Sequence, residues 1–404
     1  MQHKQQIQTL TEDIFPELVK FRRHFHQYPE LSGQEEQTAV FIASVLTKWN
    51  IPHQTGVGGH GIVAIINGNN TGKCVALRAD MDALPVQEKT NLDFCSKDPD
   101  VMHACGHDAH IASLLGSAYI LNNMKSDFSG SVKLIFQPSE ETFPGGAIKM
   151  IEENVLKNPD VDAIIGQHVL PQLKTGAVGM KPGRYMASTD EIYITVTGRG
   201  GHGATPELNI DPVVIAAQII VALQQIPSRF ASPSIPTVLS FGRFIADGRT
   251  NIIPDKVTID GTIRTFDENW RSRTHELIEQ ISTGIAESFG ASCQVFIHKG
   301  YPFLVNDDEL TAFARNSAVE FLGNENVVDL PLRMTAEDFA YFSQQIPGVY
   351  YRLGISDPIS GKPSSNLHTS TFDIDEKALK TGASFMANLA LDMLDHLNKK
   401  QQNA

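Results

Sequence analysis

CVALRADMD (residues 74–82) opens as a short apolar run and closes on two acids, Asp80 and Asp82. A strand reads this way when it lies inside a parallel sheet covered on both faces, because neither face then alternates with water. Two other runs end alike. SVKLIFQPSEE (131–141) reaches Glu140 and Glu141, and VDAIIGQH (161–168) reaches His168. Open α/β sheets place their sites just beyond the carboxyl ends of their strands. Three strands that each deliver a reactive side chain to such an end predict an α/β domain with one shared centre.

VMHACGHDAH (101–110) supplies more of the same chemistry: three histidines, a cysteine and an aspartate. If this stretch were helical, Cys105 and His107 would point about 200° apart. In extended chain, residues two apart face the same side. Asp108 suits an N-cap for the following run, in which Ile111, Leu114, Leu115, Ala118 and Leu121 recur at helical spacing. Cys105 and His107 then occupy the loop before that helix, and a thiolate paired with an imidazole suits zinc. An isolated His or Cys is usually a core or surface residue, and His103 and His110 are read in that way. For Cys105 and His107 the agreement with three strand ends favours a metal site.

Adjacent acids such as Glu140 and Glu141 are ordinarily solvated, but these follow VKLIF directly. Neighbouring residues leaving a strand point in different directions. One carboxylate can therefore bind a cation while the other faces substrate and carries a proton.

A chain of 404 residues exceeds what one core usually serves. From 189 to 299 the pattern becomes strand, helix, strand, strand, helix, strand, the β-α-β-β-α-β order of a ferredoxin-like unit. Asp211-Pro212 starts its first helix, and Pro254-Asp255 marks the turn between its central strands. The expected organisation is a larger domain from residues 1–186 and 300–404, with residues 187–299 inserted as a smaller one.

The net charge of −13, from 46 acidic against 33 basic residues without a basic cluster, argues against nucleic-acid or anionic-membrane partners. The first 21 residues lack the apolar core of a secretory signal, and no uncharged apolar run reaches transmembrane length. Four cysteines without a C-x-x-C pair read as reduced thiols, one of them a candidate ligand. The expected location is the cytoplasm.

GRGGHG (198–203) fits G-x-G-x-x-G after a strand and raises a dinucleotide-dependent oxidoreductase as a remote alternative. Two features oppose it. The helix starts near Asp211, well past the last glycine, and no acid lies between Asp211 and Asp247 to take a ribose hydroxyl.

Taken together, RADMDALP (78–85), MHACGHDAH (102–110), QPSEE (137–141), GQHV (166–169), GGHGATP (200–206), NIIPD (251–255), GTIRT (261–265) and NLHTSTFDIDE (366–376) resemble the amidohydrolase branch of the aminoacylase and carboxypeptidase metallopeptidases. That branch includes hippurate hydrolases, N-acetyl-amino-acid deacetylases and indoleacetyl-amino-acid hydrolases. The likeness runs from RRHFHQYPEL (22–31) into the 370s, with its motifs in family order. It implies an open mixed sheet flanked by helices that forms a di-metal catalytic domain, with the inserted unit as a lid and dimerisation domain. It further implies that Cys105, His107, Glu141, His168 and His368 hold two divalent metals. Zinc fits those ligands best, with manganese, cobalt or nickel as other occupants. Glu140 is implied as general base and acid, Asp82 as the acid behind the ligands, and His202 as an oxyanion donor supplied across a homodimer. Asn251 and Arg264 are implied near a substrate carboxylate, and a bidentate guanidinium suits that task. The implied reaction is cleavage of N-acyl amino acids, with carboxypeptidase or dipeptidase activity as the alternative. Glu207, Thr335-Ala336 and Thr369-Ser370 depart from the usual family pattern, in loops expected to shape specificity.

Overall fold

The strand that ends at Asp80 lies near the middle of an eight-stranded sheet. The computed structural model describes residues 3–357 and 365–402. Its first stretch runs α1 (Lys4–Gln27), α2 (Glu36–Lys48), β1 (His53–Val57), β2 (Gly61–Asn67), β3 (Asn70–Asp80), α3 (His107–Asn123), β4 (Ser129–Gln137), α4 (Gly146–Glu152), β5 (Ala163–Lys174), β6 (Val178–Met180) and β7 (Gly183–Met186). Then come β8 (Asp190–Thr197), β9 (Gly201–His202), α5 (Pro212–Leu223), β10 (Val238–Ala246), β11 (Ile252–Ile253), β12 (Lys256–Arg264), α6 (Glu268–Ser288) and β13 (Ser292–Lys299). The chain closes with β14 (Leu304–Asn306), α7 (Asp308–Leu322), β15 (Val327–Asp329), α8 (Ala340–Ser343), β16 (Gly348–Ser356) and α9 (Ala378–Gln402). Two compact units result, one from Met1–Tyr185, Val305–Leu332 and Asp338–Ala404, the other from Met186–Leu304 and Arg333–Glu337.

In the first unit the sheet order is β1-β2-β4-β3-β5-β16-β6-β15. The pairs β3/β4, β3/β5 and β5/β16 are parallel, whereas β1/β2, β2/β4 and β6/β16 are antiparallel, so the sheet is mixed. From Cys74 to Asp80 every residue of β3 is buried, as is nearly all of β4 and β16. That continuous burial explains the unbroken apolar runs in the sequence.

Two details differ from the sequence reading. His168 does not lie past the end of its strand: β5 stops pairing with β3 at Gly166 but continues beside β16 through Leu170. His168 is thus open to the centre because β3, which runs on to Asp80, has parted from β5, and His110 stands between them, bonded to Asp80 and to Val169 N–H. Likewise α3 begins at His107 rather than after an Asp108 cap. Gly106 turns the chain at φ 84°, and a Cβ there would strike Val169. Asp108 is drawn away by Arg22 Nε (2.9 Å) and His26 Nδ1 (2.8 Å), which fasten α1 to the start of α3. The helix is buried on nearly every side because α1 and α9 both pack on it.

The second unit has a four-stranded antiparallel sheet in the order β10-β12-β8-β13, with β8 and β12 central, as in a ferredoxin-like unit. Ile192, Ile194, Val257, Ile259 and Ile263 meet Ile215, Ile219 and Ile278 of its helices in a separate core. Asp211 caps α5 by accepting from Val213 N–H at 2.8 Å, and Asp267 caps α6 through Trp270 N–H at 2.9 Å. Arg333 joins this unit by a bridge to Met186. Among the described residues one helical segment, Pro212–Phe230, is long and apolar enough to cross a membrane by length and composition. Here its α-helical part lays Ile215, Ala216, Ile219 and Leu223 on the sheet.

Asp190, where β8 begins, is buried and accepts hydrogen bonds from Arg271 Nε (2.9 Å) and Nη2, His275 Nε2 (2.6 Å) and Gly300 N–H (3.0 Å). Burial alone would raise its pKa, but the Arg271 and His275 bonds bring it down to about 2. Asp190→Asn removes one of the two carboxylates that Arg271 bonds, leaving Glu268 at 2.9 Å, and is expected to cost about 2 kcal/mol near neutral pH. Because the folded-state pKa is depressed, this contribution is complete above about pH 4 and fades as pH falls toward the folded value. Denaturation midpoints of the two proteins should therefore converge across that window.

Candidate metal centre

Five side chains converge at the carboxyl end of the parallel strands in the first unit. Cys105 Sγ lies 3.4 Å from His168 Nε2 and 3.3 Å from His368 Nε2, and His368 Nε2 lies 3.3 Å from Glu141 Oε1. His107 Nε2 is 3.9 Å from the same Glu141 oxygen. Two ligands about 2.1–2.3 Å from a tetrahedral ion stand roughly 3.5 Å apart, so these separations are those of donors around a cation. Donor atoms of Cys105, His107 and His168 lie within 4.8 Å of one another, as do those of Cys105, Glu141 and His368. Cys105 belongs to both sets, the arrangement expected where one ligand serves two ions.

The groups behind the donors decide which atom each imidazole presents. His107 Nδ1 faces Asp82 Oδ1 at 3.2 Å, and His168 Nδ1 donates to the Val169 carbonyl at 2.7 Å. Both rings therefore carry their proton on Nδ1 and turn an Nε2 lone pair inward. His107 Nε2 and Glu141 Oε1 are buried without a hydrogen-bond partner among the described residues. Buried polar atoms are rarely left so, and a cation would satisfy both.

Electrostatics point the same way. Burial drives the Cys105 thiol well above its ordinary pKa, and Glu141, Glu140 and Asp80 drive it further. A thiolate is favoured there only beside a cation. Burial keeps His168 neutral and free to ligate, reinforced by Arg352, its pairing neighbour on β16. His107 experiences burial too, but Asp80 and Asp82 outweigh it and hold its pKa up at about 10, so a metal ion would replace a proton there. The residues present fit a pair of divalent cations.

Asp82 is the hub of the first unit's site: besides His107 it accepts from Ser32 Oγ (2.6 Å) and from Glu141 N–H (2.9 Å). Glu140 is buried, with a carboxylate oxygen within 4.8 Å of the ligand atoms of His107 and Glu141. His110 uses both ring nitrogens within the fold, Nδ1 toward Asp80 at 2.5 Å and Nε2 accepting from Val169 N–H at 2.9 Å. His103 is buried, with neither nitrogen hydrogen-bonded among the described residues, and burial holds its pKa at about 3. His368 takes φ 60°, and its N–H donates to the Ala104 carbonyl at 2.8 Å, which ties the C-terminal loop to the Cys105 loop.

His202, Asn251 and Arg264 lie in the second unit. β9 pairs with β11, so His202 sits opposite Ile252, beside Asn251, whose carbonyl accepts from Gly203 N–H at 2.9 Å. Ala204 N–H donates to His202 Nδ1 at 3.0 Å, which leaves Nε2 to carry the ring proton on an exposed side chain. Arg264 ends β12, half-buried. The GRGGHG stretch forms this ribbon and opens no helix; a Cβ on Gly200 would meet the Ile253 carbonyl. Its glycines permit close strand approach, which disposes of the dinucleotide reading.

Three supports escaped sequence reasoning: Ser32 and Glu35, which reach the site from a segment some seventy residues before Cys105, and the Asp80–His110 pair. Only SGQEE (32–36), polar residues before a helical run, could have drawn attention to the first two.

A converging thiolate, imidazoles and carboxylates at the strand ends of an α/β sheet define a metal-dependent hydrolase. The profile of peptidase family M20/M25/M40 matches residues 76–392, and the chain belongs to that family. It is 41% identical over 378 residues to thermostable carboxypeptidase 1 of Saccharolobus solfataricus, covering 93% of this chain and 94% of that one. It is 42% identical over 306 residues to the N-acyl-L-amino acid amidohydrolase of Geobacillus stearothermophilus, covering 76% of this chain and 82% of the relative. Among solved structures, a dinuclear metal binding peptidase of the M20 family from Bacillus subtilis superposes with a TM-score of 0.82 at 35% identity, covering 95% and 99% of the two chains.

Cys105→Ala should reduce bound metal by about one ion per chain, since the shared ligand is lost. Elemental analysis of purified protein checks it, and an unchanged ratio removes Cys105 from the ligand set.

Proposed function

We propose that this hydrolase cleaves the amide bond of N-acyl amino acids, releasing a carboxylic acid and a free amino acid. The observation that carries the reading is the divergence of Glu140 and Glu141 from one strand end: Glu141 meets His368 and shares a donor group with Cys105, whereas Glu140 is not in that group and lies within 4.8 Å of the His107 and Glu141 ligand atoms, close enough to exchange a proton there. The relatives named for acyl-amino-acid hydrolysis and deacetylation support the substrate class.

Divalent cations at the centre, zinc by donor type, lower the pKa of water and polarise a carbonyl when bound. Glu140 takes the proton of the attacking water on its carboxylate and passes it to the leaving nitrogen. Asp82 keeps His107 and the Glu141 backbone in register throughout. His202, with its proton on Nε2, is the proposed donor to the oxyanion, supplied across the homodimer, and Arg264 with Asn251 the proposed grip on the amino-acid carboxylate. A homodimer in the cytoplasm is part of the proposal; sedimentation at the mass of a single chain would remove the dimer.

Carboxypeptidase or dipeptidase activity is the second reading, favoured by the identity to thermostable carboxypeptidase 1. Both readings break an amide next to a free carboxylate, so substrates decide. N-acetyl, N-benzoyl and indoleacetyl amino acids and a set of dipeptides should be compared by amine release, with and without chelator and added zinc or manganese. Chelator-sensitive release from the acyl set confirms the proposal, and preference for dipeptides replaces it. Glu140→Gln should retain its metals and lose at least about 100-fold in kcat; near-normal turnover would take the proton-carrying role from Glu140.

A further inference from the structure

Glu35 occupies the N-cap position of α2, yet its side chain does not cap that helix. Glu30 does so instead, accepting from Gln37 N–H at 3.1 Å and Thr38 N–H at 2.8 Å. The released Glu35 carboxylate is fully buried and reaches the turn after β4, where one oxygen, Oε1, accepts both the N–H (2.7 Å) and the Oγ–H (3.2 Å) of Ser139. Its other oxygen, Oε2, is buried without a hydrogen-bond partner among the described residues.

Ser139 is no ordinary recipient. It holds φ 55°, the left-handed region that side chains avoid at a cost of roughly 1 kcal/mol or more. That conformation swings the chain at the end of β4 so that Glu140 and Glu141 diverge. Two carboxylates from separate loops hold the strained turn: Glu35 at the Ser139 N–H and Asp82 at the Glu141 N–H. Glu140 lies between the two anchors. A half-satisfied buried carboxylate is an expensive way to stabilise a fold. The same carboxylate is well suited to fixing a direction.

We propose that Glu35 is a positioning residue for Glu140, acting through the Ser139 backbone. The inference rests on Glu140 as the proton carrier, and it extends the site to a residue more than a hundred positions away in sequence. Glu35→Met keeps length and volume but removes the acceptor, while Glu35→Gln keeps an oxygen for Ser139 N–H.

Three readouts on the full-length, metal-loaded protein decide it: steady-state kinetics, thermal melting, and deuterium uptake in the peptide spanning residues 137–146. Glu35→Met should lower kcat about 10-fold, leave KM within about twofold and speed exchange in that peptide about 10-fold at an unchanged melting temperature. Glu35→Gln should restore kcat and exchange to within about threefold of wild type. If Glu35→Met does not fold, Glu35→Asp, too short to reach Ser139, replaces it with the same expectations. Wild-type kcat and exchange in either folded variant overturns the proposal, as does a drop in melting temperature with kcat intact. Glu140→Gln, assayed alongside, separates the two ideas. If it stays active, the proton-carrier reading fails, and positioning of the proton carrier fails with it; exchange then reports only whether Glu35 braces the turn. If it is inactive while Glu35→Met is normal in kinetics and exchange, only the positioning inference fails.

Discussion

Buried negative charge gathered at one end of the sheet is the constraint on which the first unit depends. Asp80, Asp82, Glu140 and the inner oxygen of Glu141 are all withdrawn from water around one point, with the Cys105 thiol among them. Arg78 answers part of this charge, donating to Asp80 Oδ2 at 2.7 Å and to Asp338 Oδ1 at 2.8 Å. His110 Nδ1 answers Asp80 as well, and His107 Nδ1 answers Asp82, while the Nε2 atoms of His107 and His168 turn toward Glu141 and Cys105. Burying charge in this way costs several kcal/mol per ion unless it is paired, and divalent cations are the partners whose ligand geometry the donors match. The metal is thus as much a structural requirement of this end of the sheet as a chemical one.

Parallel strands make such concentration possible. They bring backbone from four distant parts of the sequence to one edge, and each strand can stop at a different height. β3 parts from β5 beyond Gly166, two residues before its own end at Asp80, while β16 runs on beside β5 and sets Arg352 against His168 in register. A ladder continued to the end of β3 would hide His168 between two neighbours. The parting opens the edge at His168, with His110 inserted between Asp80 and Val169, and α3, starting at the left-handed Gly106, brings His107 over the same edge.

What the sequence made legible follows from range. The apolar runs toward Asp80 and Glu140 are local patterns, and so are the cap at Asp211 and the strand-helix order of residues 189–299; each reappears in the structure close to its expected bounds, whereas the strand through His168 runs on to Lys174. The Asp108 cap misled because a good capping residue is also a good buried acid. Arg22 and His26, more than eighty residues earlier, claim its carboxylate, and no window around Asp108 shows them. Glu35 is the opposite case: its position reads as the start of a helix, but Glu30 performs that task and Glu35 serves the strand end at Ser139. G-x-G-x-x-G was uninformative because glycine answers any need for close backbone approach, a ribbon as well as a pyrophosphate.

Two chemically identical side chains next to each other in sequence must end with different work, and local geometry has to separate them. An extended continuation of β4 would send Glu140 and Glu141 to opposite faces of the sheet, and only one face carries the donors. A helical continuation would set them about 100° apart on one turn, with both carboxylates competing for the same cations. The left-handed residue between strand and acids avoids both outcomes, keeping Glu141 within 3.3 Å of His368 while Glu140 stays buried at the margin of the cluster. Ser139 can hold that conformation because its N–H and its hydroxyl find one acceptor waiting, and because Gly146 N–H closes on its carbonyl at 2.9 Å. The separation of the two carboxylates is therefore decided at Ser139, one residue before Glu140 and two before Glu141.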